Sequence, residues 1–271
     1  MLPLLYLFIM KKFLSIISIS AILFTSCSKN NDVKPVEVPE TAGKATLTFD
    51  AVAGASDFAL NKDFTASGKT WNFTQLRYWV SNVVLINDKG EEYKVPNSYY
   101  LMEENNPAET NSAYVYPANK RESINLTDIP AGDYKSVKFS VGVDTKYNSN
   151  LSLQAGELSQ LNGMTNVSWM WATTYIFSSL KGKVTEGTTV KTIAVETGLD
   201  ANYKSVTLAL PSTLHIGSSK SSTISLNTDV TKITDGVDIM ATPTIGASQA
   251  TVMASVATNY STKVFTVKSV N

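Results

Sequence analysis

His215 is the only imidazole in the 271-residue sequence and Cys27 the only thiol, so every metal or nucleophilic chemistry has to start from them or do without them. As a base, His215 would need a nucleophile within hydrogen-bond reach and an acid to orient it. Its setting, Pro211-Ser212-Thr213-Leu214-His215-Ile216-Gly217, reads as a strand edge or turn with a lone surface or half-buried histidine. Ser178-Ser179-Leu180-Lys181 has the Ser-x-x-Lys spacing, but that chemistry needs the pair one helical turn apart, and here the residues continue a strand run. Asp144, Asn148 and Asn150 form an oxygen-rich loop, yet Lys146 and Ala155 occupy two places where an EF-hand needs ligands. A solvated turn is expected there, with Asp144 fixing the backbone. Tyr78-Trp79 and Tyr99-Tyr100 could stack on sugar rings, since alternation along a strand exposes one member of each adjacent pair. Ordinary core packing is the competing reading, and no enzyme activity is expected from any of these groups.

The counts exclude other classes. With 23 basic and 23 acidic side chains and no basic run, nothing offers an electrostatic footprint for nucleic acid. Zinc sites of the Cys₄ or Cys₂His₂ kind, iron–sulfur clusters and any intramolecular disulfide need more Cys or His than the chain owns.

Cys27 has a specific reading. A start at Met10 makes Met10-Lys11-Lys12 a positive n-region, Phe13–Phe24 an apolar h-region, and Thr25-Ser26 the small residues before Cys27, which resembles the lipobox of bacterial lipoproteins. The apolar stretch is too short to span a bilayer. Residues 1–26 are therefore expected to be a signal peptide, and Cys27 the lipidated first residue of an outer-membrane lipoprotein with a periplasmic or cell-surface face. Losing Lys11 and Lys12 and no acid leaves the exported chain faintly acidic. Residues 27–43 have two prolines between Ser28 and Thr41 and no periodicity, as an extended tether would.

Positioning of the candidate groups falls to the body, residues 44–271. Short runs rich in β-branched and aromatic residues, separated by Asn, Asp, Gly and Pro, predict an all-β, single-domain β-sandwich of roughly ten antiparallel strands with one or two short helices. Asn87-Asp88-Lys89-Gly90 predicts a hairpin turn. Helical spacing occurs in Ala247–Asn259 and Leu151–Leu161, and Thr74–Arg77 could open a short turn of helix.

Four segments in order resemble one family: Phe73–Val83 with its Tyr78-Trp79-Val80-Ser81-Asn82; Pro130-Ala131-Gly132-Asp133-Tyr134 leading to Gly142-Val143-Asp144; Met164 with Trp169-Met170-Trp171 through Phe177; and the tail Asn259–Val267. Together they are similar to the MbnP-like family, copper-binding proteins of methanobactin loci that are widespread as lipoproteins in Bacteroidota. The resemblance implies a β-sandwich and a copper-acquisition or redox-accessory role, with a di-haem peroxidase-like or TonB-dependent partner. It places a metal near Trp169 and Trp171, with Glu196, Met164 and Met170 as the remaining donors. The family's usual Phe-x-x-His-x-Gly strand aligns with Ile193-Ala194-Val195-Glu196-Thr197-Gly198, so the ligand His is absent from this sequence. An indole has no basic lone pair to replace imidazole, so copper is the one cofactor implied and its loss is the expected outcome. A surface carbohydrate-binding or structural lipoprotein is the alternative.

Overall fold

The computed structural model describes residues 40–109, 114–166 and 174–271. Ten longer strands carry the architecture: β1 Gly43–Ala53, β2 Lys69–Asn87, β3 Tyr99–Asn105, β4 Ser123–Ile129, β5 Gly132–Val141, β6 Thr174–Glu186, β7 Thr189–Gly198, β8 Lys204–Ile216, β9 Ser221–Asp229 and β10 Phe265–Val270. One sheet runs β4-β1-β9-β10, and the other runs β8-β5-β2-β6-β7, with β3 paired to β2. The inward faces meet in an apolar core around Leu47, Phe49, Tyr78, Phe139, Leu226 and Phe265. The fold is an all-β sandwich, as the alternating runs predict. Its pairing is not wholly antiparallel: β1 lies parallel to β9, from Lys44↔Ser221 to Val52↔Asp229, because the chain crosses between the sheets before returning.

Local chemistry explains several boundaries. The side chain of Asn87 accepts from the amides of Lys89 and Glu91, and Gly90 takes φ +85°, so the predicted hairpin forms. Thr74–Arg77 is strand throughout, where β2 is paired on β6 and β3. Leu151–Leu161 forms turns and no α-helix, its only helical turn being the 3-10 turn Gln160–Asn162 at its end. Its apolar residues Leu151, Ala155 and Leu158 satisfy burial one by one against the outer face of the β2 sheet. A four-residue helix α1, Thr145–Asn148, precedes that segment, and α2, Ala250–Thr262, fulfils the expectation for the C-terminal region.

The motif residues explain themselves structurally. Tyr134 donates its hydroxyl to the Pro130 carbonyl at 2.8 Å and closes the corner into β5. Asn82 stands at φ +51° and donates Nδ2 to Asp144 Oδ2 at 3.0 Å and to the Tyr203 hydroxyl at 2.6 Å, while Tyr99 donates its hydroxyl to the same carboxylate. Burial and the Asp144 carboxylate push the Tyr99 phenol well above its ordinary range. Asp144 thus joins β2, β3 and the 143–166 segment through its side chain, while its carbonyl accepts from the amides of Tyr147 and Asn148 and fixes the local backbone. The adjoining turn is solvated at Thr145, Lys146, Ser149 and Asn150, as expected, but Asn148 is buried, donating to Asp200 and accepting from the Tyr175 amide.

Candidate functional site

Strand register assembles a polar row on the outer face of the larger sheet. Glu103 of β3 lies opposite Arg77 of β2, Arg77 opposite Ser179 of β6, and Ser179 opposite Glu196 of β7. Gln75 and Lys181 form the next pair along. Leu76, Tyr78 and Leu180 alternate into the sandwich core, so these polar side chains stand on the far side with Trp79. Gly182 tightens the row: a Cβ there would lie 2.3 Å from the Asn72 carbonyl oxygen, so only glycine lets β6 approach at the β2 bulge.

The row is closely bonded. Arg77 donates Nε to Glu103 Oε2 at 2.8 Å with both side chains only 2% exposed, and its guanidinium lies 4.5 Å from the centre of the Tyr116 ring. The other Glu103 oxygen accepts from the Tyr116 hydroxyl at 2.6 Å and from Asn119 Nδ2 at 2.7 Å. Burial first, and then the Glu103 carboxylate, push the Tyr116 phenol up to about 12. Gln75 donates to Ser179 Oγ at 2.7 Å, Ser179 donates to Glu196 Oε1 at 3.2 Å, and Lys181 Nζ stands 3.5 Å from that same oxygen. A cleft of about 190 Å³ opens here between Gln75, Arg77, Ser179, Lys181, Glu196 and the segment from Gly163 to Asn166.

A family model for MbnP matches residues 42–254. The chain belongs to the MbnP family. MbnP from Methylosinus trichosporium is a solved structure that resembles it at 17% identity, with 69% of this chain and 76% of that chain covered and a TM-score of 0.43. No curated protein matches the chain.

The MbnP family is associated with copper, so the donor set must be tested against that metal. Met164 and Glu196, two of the expected donors, do line one cleft, and Met164 is buried. Trp169, Met170 and Trp171 lie outside the described residues. The Glu196 oxygen facing the row is already held by Ser179 and Lys181, and the cleft carries two cations, Arg77 and Lys181, against one carboxylate. Among the described residues no three His, Cys, Asp or Glu side chains are grouped to hold a metal ion. Among the described residues, one carboxylate already bonded to Ser179 and Lys181 and one thioether do not make a copper site.

The aromatic pairs stand differently from the expectation. Tyr78 and Trp79 are both buried and so is Tyr99, while Tyr100 is half-buried with Arg121 against its ring. Alternation would have exposed Trp79, but the 143–166 segment folds back over the outer face and encloses it with Leu101, Leu158, Met164 and Tyr175. None of the three buried rings offers a face to a sugar. The Arg77–Glu103 pair escaped the sequence reading. Its signal was a charge at an alternate position of an otherwise apolar strand, and its partner is set only by register.

His215 acts as a structural latch. Nδ1 meets Asp133 Oδ1 at 2.7 Å and Nε2 meets Glu40 Oε2 at 2.5 Å, while the Ser219 amide donates to Glu40 Oε1 at 3.0 Å. When protonated, the imidazole donates to a carboxylate from each nitrogen and has no lone pair left for a base. Glu40 first and Asp133 next raise His215 above its ordinary 6.5; the Ser219 hydroxyl and then His215 bring Glu40 down to about 2. The raised histidine contributes stability fully below 6.5 and loses it as pH climbs through the folded value. The lowered carboxylate contributes fully above 4.5 and loses it as pH falls toward 2, so the latch is complete between about 4.5 and 6.5. NMR titration of His215 is expected to give a midpoint above 6.5, and Glu40→Gln to lower it. An unmoved midpoint in that variant would show that Glu40 does not hold the ring.

Proposed function

We propose that this chain is a non-catalytic binding or accessory lipoprotein, anchored through Cys27 to the bacterial outer membrane, that retains the MbnP scaffold without its copper. The observation that carries this reading is Glu196: the carboxylate that stands where the resemblance expects the ligand His is held by Ser179 and Lys181, with no imidazole near it among the described residues. Catalysis finds no support in the side chains that could have supplied it. His215 is occupied at both nitrogens, and Ser178 is hydrogen-bonded to Thr197 while Lys181 faces the cleft from the opposite side of the strand.

Copper loading followed by desalting tests the reading. Retention well below one equivalent is expected, with no tryptophan-derived absorption; about one equivalent held through desalting, with such an absorption, would overturn it. For the anchor, Cys27→Ser is expected to move the protein from the membrane to the soluble fraction, and a variant that still sediments with membranes would reject lipidation there.

A further inference from the structure

Among the described residues, most of the side-chain polar atoms buried without a hydrogen-bond partner lie in β2, β3 and the start of β6. They include Arg77 Nη2, Trp79 Nε1, Asn105 Oδ1, Thr174 Oγ1 and Tyr175 OH. A buried polar group left unpaired costs more than a typical hydrogen bond returns, and of these residues Arg77 alone lines the cleft. Arg77 is the strongest case. Glu103 and the Tyr116 ring hold its guanidinium in one orientation, its side chain is 2% exposed, and it forms part of the wall of the 190 Å³ cleft with Nη2 unpartnered.

We propose that this cleft binds a small carboxylate anion between the Arg77 guanidinium in its wall and Lys181 at its rim; the inference rests on the binding role proposed above. A fixed, planar guanidinium suits a planar carboxylate, and its partial occupation by Glu103 leaves a donor but little excess charge. Lys181 is 45% exposed and loosely held by Glu196, so it is free to turn toward an incoming anion. Glu196 is the opposing charge. Its removal therefore improves the site for an anion and damages it for a cation, which separates the two by sign.

The test titrates the full chain with sodium acetate against sodium chloride at matched ionic strength, following Tm. Acetate is expected to raise Tm by about 3–6 °C at roughly ten times its Kd, and logarithmically with concentration above that. Glu196→Gln is expected to tighten the apparent Kd several-fold, and Lys181→Ala to weaken it several-fold. Inorganic phosphate in a parallel arm is expected to act more weakly, its tetrahedral oxygens matching a planar donor less well. A response to acetate no larger than to chloride overturns the proposal, as does weakening by Glu196→Gln or a stronger effect of phosphate. If acetate fails and copper is also not retained, only the anion inference falls. If copper is retained and lost in Glu196→Gln, the functional reading falls with it.

Discussion

Glu103→Ala is expected to destabilise the protein by about 3–5 kcal/mol, the usual cost of leaving a buried charge without its partner. Among the described residues Arg77 has no second carboxylate within reach, and its side chain is 2% exposed and pinned over the Tyr116 ring. The substitution also frees the Tyr116 hydroxyl and Asn119 Nδ2, which share the remaining carboxylate oxygen. Glu103→Gln keeps the shape and one acceptor and is expected to lose less. Urea unfolding at neutral pH measures both, and a loss below about 1 kcal/mol for the alanine variant would mean that water reaches the guanidinium.

Trp79→Ala is expected to cost about 3–5 kcal/mol, as removal of a fully enclosed large aromatic does. The loss is one of packing alone, since the Trp79 Nε1 donor has no partner to forfeit. The indole meets the edge of Tyr175 at a centroid distance of 5.8 Å and lies among Leu101, Leu158 and Met164, so its removal loosens the 143–166 cover as well as the sheet. Lower urea midpoint and faster amide exchange across residues 151–166 are the expected readings. Unchanged exchange there would show that the cover is held by Asp144 and not by the second core.

Both effects arise on a face that local sequence describes poorly. Alternation correctly divides Leu76 and Tyr78 from Gln75 and Arg77, because side-chain direction in a strand is a local property. It cannot report that the second face of β2 is also covered, since that depends on a segment more than 60 residues later returning over it. The same limit explains the aromatic pairs. Tyr78 and Trp79 point to opposite faces as expected, and both are enclosed because two cores exist. Leu151–Leu161 has helical spacing for a related reason: its apolar residues answer to positions on the sheet beneath them, and tertiary burial overrides a weak local preference.

The sequence by itself determined the β-rich class, the hairpin at Asn87–Gly90, the C-terminal helix and the motifs that place the chain in the MbnP family, each encoded in neighbouring residues. It also determined that one imidazole was available, and where. Only the tertiary structure decided what that imidazole and the charged residues do. His215 meets Glu40 across 175 positions, and Arg77 meets Glu103 and Ser179 through strand register. Register sets which charges neutralise one another and which donors remain open, and it follows from the packing of whole sheets rather than from any local run of residues.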